Sequence, residues 1–325
     1  MWCCHFSHSP FSVLSSSSSV RVLLSSPPSS SSRTSFSITS SSSCSATAMA
    51  THGDGRRKFL DFPFVSTSHK NLMLDLVSAV ENRFNSQLIP CTLPPDVQYY
   101  QNQTGSAQAS LQIRSGQSNS PVDFVLGSWV HSELPTGGSL DITSLSVYLN
   151  LTNDSPNFVI ELIRSSPTMM VLILDLPPRK DLVLWPNDLK TFYEDTQLDK
   201  HRQAIGKIPE VKPYDSSSLY IRAASSPTAI MVTIGTPADG GEERMEEIIR
   251  DHLDPISKQV LGIWFDHCAC AKREVGEAER ADLKKRDGVS RSKTLEIDLG
   301  SSFPRLFGPE VANRVLEAMR EYFIV

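Results

Sequence analysis

In the stretch NFVIELIRSS, Asn157 to Ser166, alternation along a strand puts Phe158, Ile160 and Leu162 on one face and Val159, Glu161 and Ile163 on the other. Neither face suits water. A carboxylate between valine and isoleucine is costly to bury as an anion, so it must be paired, protonated or turned toward a cavity. The next apolar run repeats the pattern, because in MVLILDLPP Asp175 shares a face with Val171 and Ile173. Two such acids in a pocket between a sheet and its covering helices would titrate high and hold protons near neutral pH, as general acids require. Each also has an ordinary structural reading: Glu161 in a buried pair with an arginine, Asp175 as a strand-end cap before Pro177. His131, closing GSWVH, is a further titratable group, read first as a structural histidine. Asp298, in LEIDLGSSFPRLFG, precedes a Ser, Pro and Gly-containing stretch expected to be a loop, where functional groups concentrate. A lone acid there is ordinarily a turn residue.

The usual cofactor and nucleophile signals are missing. The chain contains no P-loop, no G-x-G-x-x-G after a strand, no H-E-x-x-H and no G-x-S-x-G. Beyond residue 50 the cysteines are Cys91, Cys268 and Cys270, read as free thiols of a reducing compartment; a Cys-x-Cys pair without further ligands is a poor metal site. The sequons at Asn102 and Asn150 are then chance matches. With 325 residues, 39% apolar, 21% charged and a formal net charge of −5, the chain has an ordinary globular composition and does not suggest a nucleic-acid binder.

Elements that could position these residues follow from periodicity. HKNLMLDLVSAVENRF predicts a helix with one buried side. Short β-like runs then follow, ASLQIRS, VDFVLGSWVHSEL, SLDITSLSVYLN, NFVIELIRSS and TMMVLILDLPP, with gaps too short for crossover helices, which predicts an antiparallel meander. Helical patterns return after Pro178, interrupted near Pro186. SSLYIRAA and AIMVTIG read as further strands, EERMEEIIRDHLDPISKQVLGIWFDHCACAK as helix broken at Pro255, and GPEVANRVLEAMREYF as a helix with Pro309 in its first turn. The expected fold is an α/β three-layer α/β/α sandwich around a mostly antiparallel sheet, which covers both apolar faces.

Residues 1–50 differ in kind. They are serine-rich, carry Arg21 and Arg33, and no Asp or Glu appears before Asp54. This composition predicts an organelle transit peptide, chloroplast in preference to mitochondrion because serine so outweighs arginine. Its removal leaves a net charge of −7, since two arginines go with it. Residues 51–66 are expected to be a flexible segment and 67–325 a single domain.

The segments RKFLDFPFVSTSHKNLMLDLVSAVENRF, QLIPCTLPPDV, ASLQIRSG, DFVLGSWVHSELPTG, NFVIELIRSS, MVLILDLPPRKDLVL and FPRLFGPEV, in this order, resemble the plant red chlorophyll catabolite reductase family from about residue 57 to the end. That resemblance implies a chloroplast stromal enzyme akin to ferredoxin-dependent bilin reductases. Such an enzyme binds no cofactor of its own, takes electrons from reduced ferredoxin and reduces the C20/C1 double bond of red chlorophyll catabolite to give primary fluorescent chlorophyll catabolite. By the same resemblance the family's strand glutamate falls on Glu161 and its C-terminal acid on Asp298, as proton donors. Tyr214, Asp215 and Ser216 fall along the substrate, Arg222 opposite a propionate, and Asp175 in support. A homodimer and contacts with other chlorophyll-breakdown enzymes are implied as well. An acidic ferredoxin needs a basic patch on an acidic chain, and two are candidates: LKKRDGVSRSK, read as a charged loop, with Lys284, Lys285, Arg286, Arg291 and Lys293, and the pair Arg179 and Lys180. The rival readings are a carrier that sequesters the phototoxic pigment without turnover, and a bilin reductase acting on a haem-derived pigment.

Overall fold

The computed structural model describes residues 46–135 and 137–323, without the side chains of 46–53, 298 and 301. Eight strands form one sheet: β1 (Tyr99–Gln101), β2 (Ala107–Ser115), β3 (Val122–Glu133), β4 (Ser139–Leu149), β5 (Phe158–Ser166), β6 (Met169–Asp175), β7 (Val211–Pro213) and β8 (Ile230–Gly235). Their order is β1-β2-β3-β4-β5-β6-β8-β7, and every pairing is antiparallel. The meander read from the short gaps is therefore β1 through β6, and β8 closes onto β6 after a helical excursion.

Alternation divides the core between the two faces. Phe158, Ile160 and Leu162 of β5 join Leu172 and Leu174 of β6 beneath the helices Thr67–Phe84 and Asp254–Trp264. Ile163, Val171 and Ile173 lie on the other face beneath Leu295, Leu299, Phe303, Val315 and Met319 of the C-terminal layer. Ser66 caps the helix Thr67–Phe84, its hydroxyl accepting from His69 N. Pro255 does not break its helix. Residues 241–269 run on helically, and a π-turn at Ile249–Leu253 immediately before the proline accommodates its missing donor and its ring.

Four local expectations are corrected. Within the segment 51–66, expected to be flexible, residues 54–61 are helical, Phe59 and Phe62 are core residues, and Trp129 Nε1 donates to the carbonyls of Lys58 and Phe59. The approach is so close that a Cβ on Gly127 would lie 2.5 Å from the Phe59 ring, so β3 needs a glycine there. SSLYIRAA is the helix Leu219–Ala224, with the Ser218 hydroxyl capping Ile221 N, instead of a strand. The charged run LKKRDGVSRSK, expected to be a loop, lies within the helix Glu277–Thr294, and the stretch after Asp298 is the helix Gly300–Phe307. No helix among the described residues is long and apolar enough to cross a membrane.

Candidate functional site

Glu161 is fully buried, and its row across the sheet identifies its surroundings. Its direct neighbours are Ser144 on β4 and Ile173 on β6; beyond them lie Ser128 on β3 and Met231 on β8. The Ser128 and Ser144 hydroxyls are 2.8 Å apart and both buried. Ser146, two residues along β4 on the same face and opposite Val159, is 2% exposed, and its hydroxyl has no hydrogen-bond partner among the described residues. Three hydroxyls and a carboxyl thus share a small area of a face whose nearby residues include Leu126, Ile142, Ile163 and Ile173. Burying them costs free energy that an apolar packing would not, while their small size leaves the sheet shallow there. Sequence reasoning missed the three serines. The alternation that exposed Glu161 also placed Ser144 and Ser146 on this face, but a hydroxyl in a strand raises no alarm of its own.

The other sequence-derived candidates divide. Tyr214 continues the same row past β8, donating its backbone N–H to Met231 O, and packs half-buried against the C-terminal core. Three strand spacings put it about 14 Å from Glu161. Ser216 is buried, its hydroxyl accepting from Ser218 N, whereas Asp215 is exposed. Arg222 is exposed on the helix Leu219–Ala224. Asp298 belongs to the turn Leu295–Leu299, whose Leu295 and Leu299 pack onto the Glu161 face; its side chain lies outside the described residues.

Asp175 ends β6 with its carboxylate oxygens accepting from Ser226 N at 2.9 Å and Ser226 Oγ at 2.5 Å. Burial dominates over these bonds and pushes its pKa up to about 6. At the end of β6 its carboxylate is thus held by Ser226, 51 residues along the chain. His131 is not brought to Glu161. It lies on the opposite face, where β3 pairs it with Asp141, its Nδ1 is 2.6 Å from the Asp141 carboxylate and its ring stacks on Phe64 at 3.8 Å. A second histidine on that face, His69, is fully buried with Nε2 2.7 Å from Thr143 Oγ1, and burial lowers its pKa to about 3.

A groove of about 510 Å³ opens where β5 begins and β6 ends, lined by Asn157, Pro177, Pro178, Tyr220, Leu283 and Arg286 among others. Glu161 does not line it; Asn157, four residues earlier on the same chain run, does. At its edge Arg179 is buried in a bidentate pair with Asp287 and donates to the carbonyls of Asn150 and Asn153. Lys180 is held by Asp154 and neighbours Asp188 and Glu279. The pair Arg179 and Lys180 is therefore no surface patch. In the other candidate patch, Arg291 is buried against Asp123 and Lys293 pairs with Glu296, which leaves Lys284 and Lys285 exposed.

The profile of the family described as "Red chlorophyll catabolite reductase (RCC reductase)" matches residues 68–321. A protein of Arabidopsis thaliana named "Red chlorophyll catabolite reductase, chloroplastic" is 54% identical over 280 residues, covering 85% of this chain and 87% of its own. One of Oryza sativa subsp. japonica, "Red chlorophyll catabolite reductase 1, chloroplastic", is 42% identical over 261 residues, 80% and 79% of the two chains. Among solved structures, tomato phytochromobilin synthase in complex with biliverdin superimposes with a TM-score of 0.57 over 78% of this chain and 82% of that one, at 15% identity, a likeness of fold.

Proposed function

Because the chain belongs to the red chlorophyll catabolite reductase family, we propose that it reduces red chlorophyll catabolite to primary fluorescent chlorophyll catabolite in the chloroplast stroma, with reduced ferredoxin as the external electron donor. The structural observation that carries the reading is Glu161, fully buried with three serine hydroxyls on an otherwise apolar sheet face that the C-terminal helices cover. The relatives named chloroplastic and the acid-free, serine-rich leader support the compartment.

The reaction adds two electrons and two protons across one double bond. An extended tetrapyrrole can hold a single electron in its conjugated system, so ferredoxin supplies the electrons one at a time and the protein supplies position and protons. Glu161 is the acid placed to hand over a proton from the sheet side. Asp298, carried on the turn that packs onto the same face, is the second. The buried serines orient the pigment's polar edge, and the apolar walls exclude water. Asp175, poised near neutral, serves as a reserve acid at the strand end.

The test is anaerobic turnover with reduced ferredoxin, comparing the parent chain with Glu161→Gln and Asp298→Asn. The parent forms fluorescent product, and Glu161→Gln loses about 100-fold or more of the rate while still binding pigment by absorbance titration. Binding without product in the parent would instead identify a carrier, and turnover of a haem-derived bilin in preference would identify a bilin reductase. Full activity in Glu161→Gln would remove it as the donor.

A further inference from the structure

We propose that the rim of the groove between 177–185, the helix Leu219–Ala224 and the helix Glu277–Thr294 is the surface on which the electron-donor protein, an acidic plant-type ferredoxin, docks. The proposal rests on the function inferred above and names the face its partner uses. Among the described residues, the large apolar side chains left most exposed are Val183 at 88%, Leu184 at 75%, Leu219 at 72% and Val289 at 52%. All four, with the half-exposed Trp185, sit at or beside this one groove, whose walls include Trp185, Tyr220 and Val289. A gathered apolar patch on a water-facing surface marks an interaction site, whereas single exposed leucines do not.

The charges around it favour an acidic partner. Of the acids in the groove wall, Glu279 neighbours Lys180 and Asp287 is consumed by Arg179, which leaves Asp181 and Asp282. Against them stand Lys285 and Arg286 in the wall, with the exposed Lys284 and Arg222 beside it on the helices Glu277–Thr294 and Leu219–Ala224, none with an ion pair among the described residues. The wall is balanced, and Lys284 and Arg222 beside it give the rim its excess of cations on a chain whose net charge is −5, the arrangement that steers an acidic protein to one face. A second copy of the chain fits less well, since a two-fold interface would bring this patch onto itself and set Lys284 and Lys285 against their own copies. Location agrees with electron delivery. Asn157 in the groove wall precedes Glu161 by four residues, about 13 Å along the strand direction, so a donor seated on the rim lies beside the end of the pigment site without entering it. Small, charge-steered and transient interfaces are typical of electron-transfer pairs.

The experiment titrates the full chain with oxidised plant-type ferredoxin at low and raised ionic strength. In parallel it measures pigment turnover with reduced ferredoxin and with a small viologen reductant. The double variant Lys284→Glu, Lys285→Glu is expected to bind ferredoxin about tenfold more weakly at low salt, to lose most of the salt dependence and to raise the KM for ferredoxin, with viologen-driven turnover unchanged. Leu184→Ser, whose side chain supports no packing, is expected to weaken ferredoxin several-fold at all salt concentrations. Parent-like ferredoxin affinity in both variants overturns the proposal. So does a raised KM for pigment under viologen, which would make the groove part of the pigment site, or a change of oligomeric state at Leu184→Ser with ferredoxin affinity intact. Failure of the enzymatic reading is seen separately, as absence of product with viologen in the parent.

Discussion

At the scale of single residues, burial sets opposite pH responses on the two faces of the sheet. The folded-state pKa of Asp175 is raised from 3.8 to about 6, so between those values the native state holds a proton that the unfolded chain has released, and stability falls as pH rises from about 4 to 6. The loss is about 3 kcal/mol at most. His69 runs the other way: its pKa drops from 6.5 to about 3, so stability is full above 6.5 and is lost as pH falls through that window. Urea unfolding of Asp175→Asn against the parent across pH 4 to 7 should show the variant's relative stability improving as pH rises. A flat difference would mean that Asp175 does not titrate there. Ser146 gives a different signature. Its hydroxyl is buried without a partner, so Ser146→Ala loses no bond and sheds a desolvation cost, raising stability by about 1 kcal/mol and Tm by about 2 °C. A thermal melt in which the variant is less stable would show a bond that the structure lacks. Glu161 was legible from alternation alone because a carboxylate stands out among valine and isoleucine. Ser146 was not, because what distinguishes it is a missing partner, which only the fold reveals.

At the scale of elements, the helix Glu277–Thr294 shows why part of the site was hidden in the sequence. Its buried positions are Leu283, Asp287 and Arg291, spaced four apart on one side. Two of the three are charged, so the run reads as a solvated loop even though the helical period is intact. The partners that make these charges buryable come from elsewhere: Arg179 beyond β6 for Asp287, and Asp123 on β3 for Arg291, whose guanidinium also lies over the Phe124 and Tyr148 rings. The helix Leu219–Ala224 was misread for a related reason. Tyr and Ile favour strands locally, and the serine cap that starts the helix was lost in a run of three serines. The strands β2 to β6 were legible because their short runs are rich in β-branched and apolar residues and their gaps are short. If Arg179 and Asp287 fasten this helix to the sheet end, Asp287→Ala should destabilise by about 3 to 5 kcal/mol by leaving a buried guanidinium unpaired. The double variant Arg179→Met, Asp287→Leu should recover most of that loss, and denaturant midpoints of the three chains decide it. A double variant as unstable as the single would mean that the carbonyls of Asn150 and Asn153, left without the donors of Arg179, matter more than the ion pair.

At the scale of the whole molecule, the sheet separates two tasks. One face, with Phe158, Ile160, Leu162, Leu172 and Leu174, is packed against the helices Thr67–Phe84 and Asp254–Trp264, and polar side chains beside them are matched to one another, His69 with Thr143 and His131 with Asp141. The other carries Glu161 and the serine hydroxyls under a C-terminal layer fastened at its edges by ion pairs. A face that keeps polar groups in its centre forgoes packing energy, and such a loss marks a site that serves a ligand. The same volume change should therefore have different consequences on the two sides. Leu172→Ala, on the packed face, is expected to cost about 2 to 5 kcal/mol, yet at low temperature the folded fraction should bind pigment with parental affinity. Ser144→Leu, on the Glu161 face, adds bulk beside the carboxyl and should cost less, about 1 to 3 kcal/mol, while weakening pigment at least tenfold, as the proposed seat of the pigment on this face requires. Denaturant unfolding and absorbance titration of both variants separate the two quantities. Parental pigment affinity in Ser144→Leu would place the pigment elsewhere than on the face that Glu161 shares.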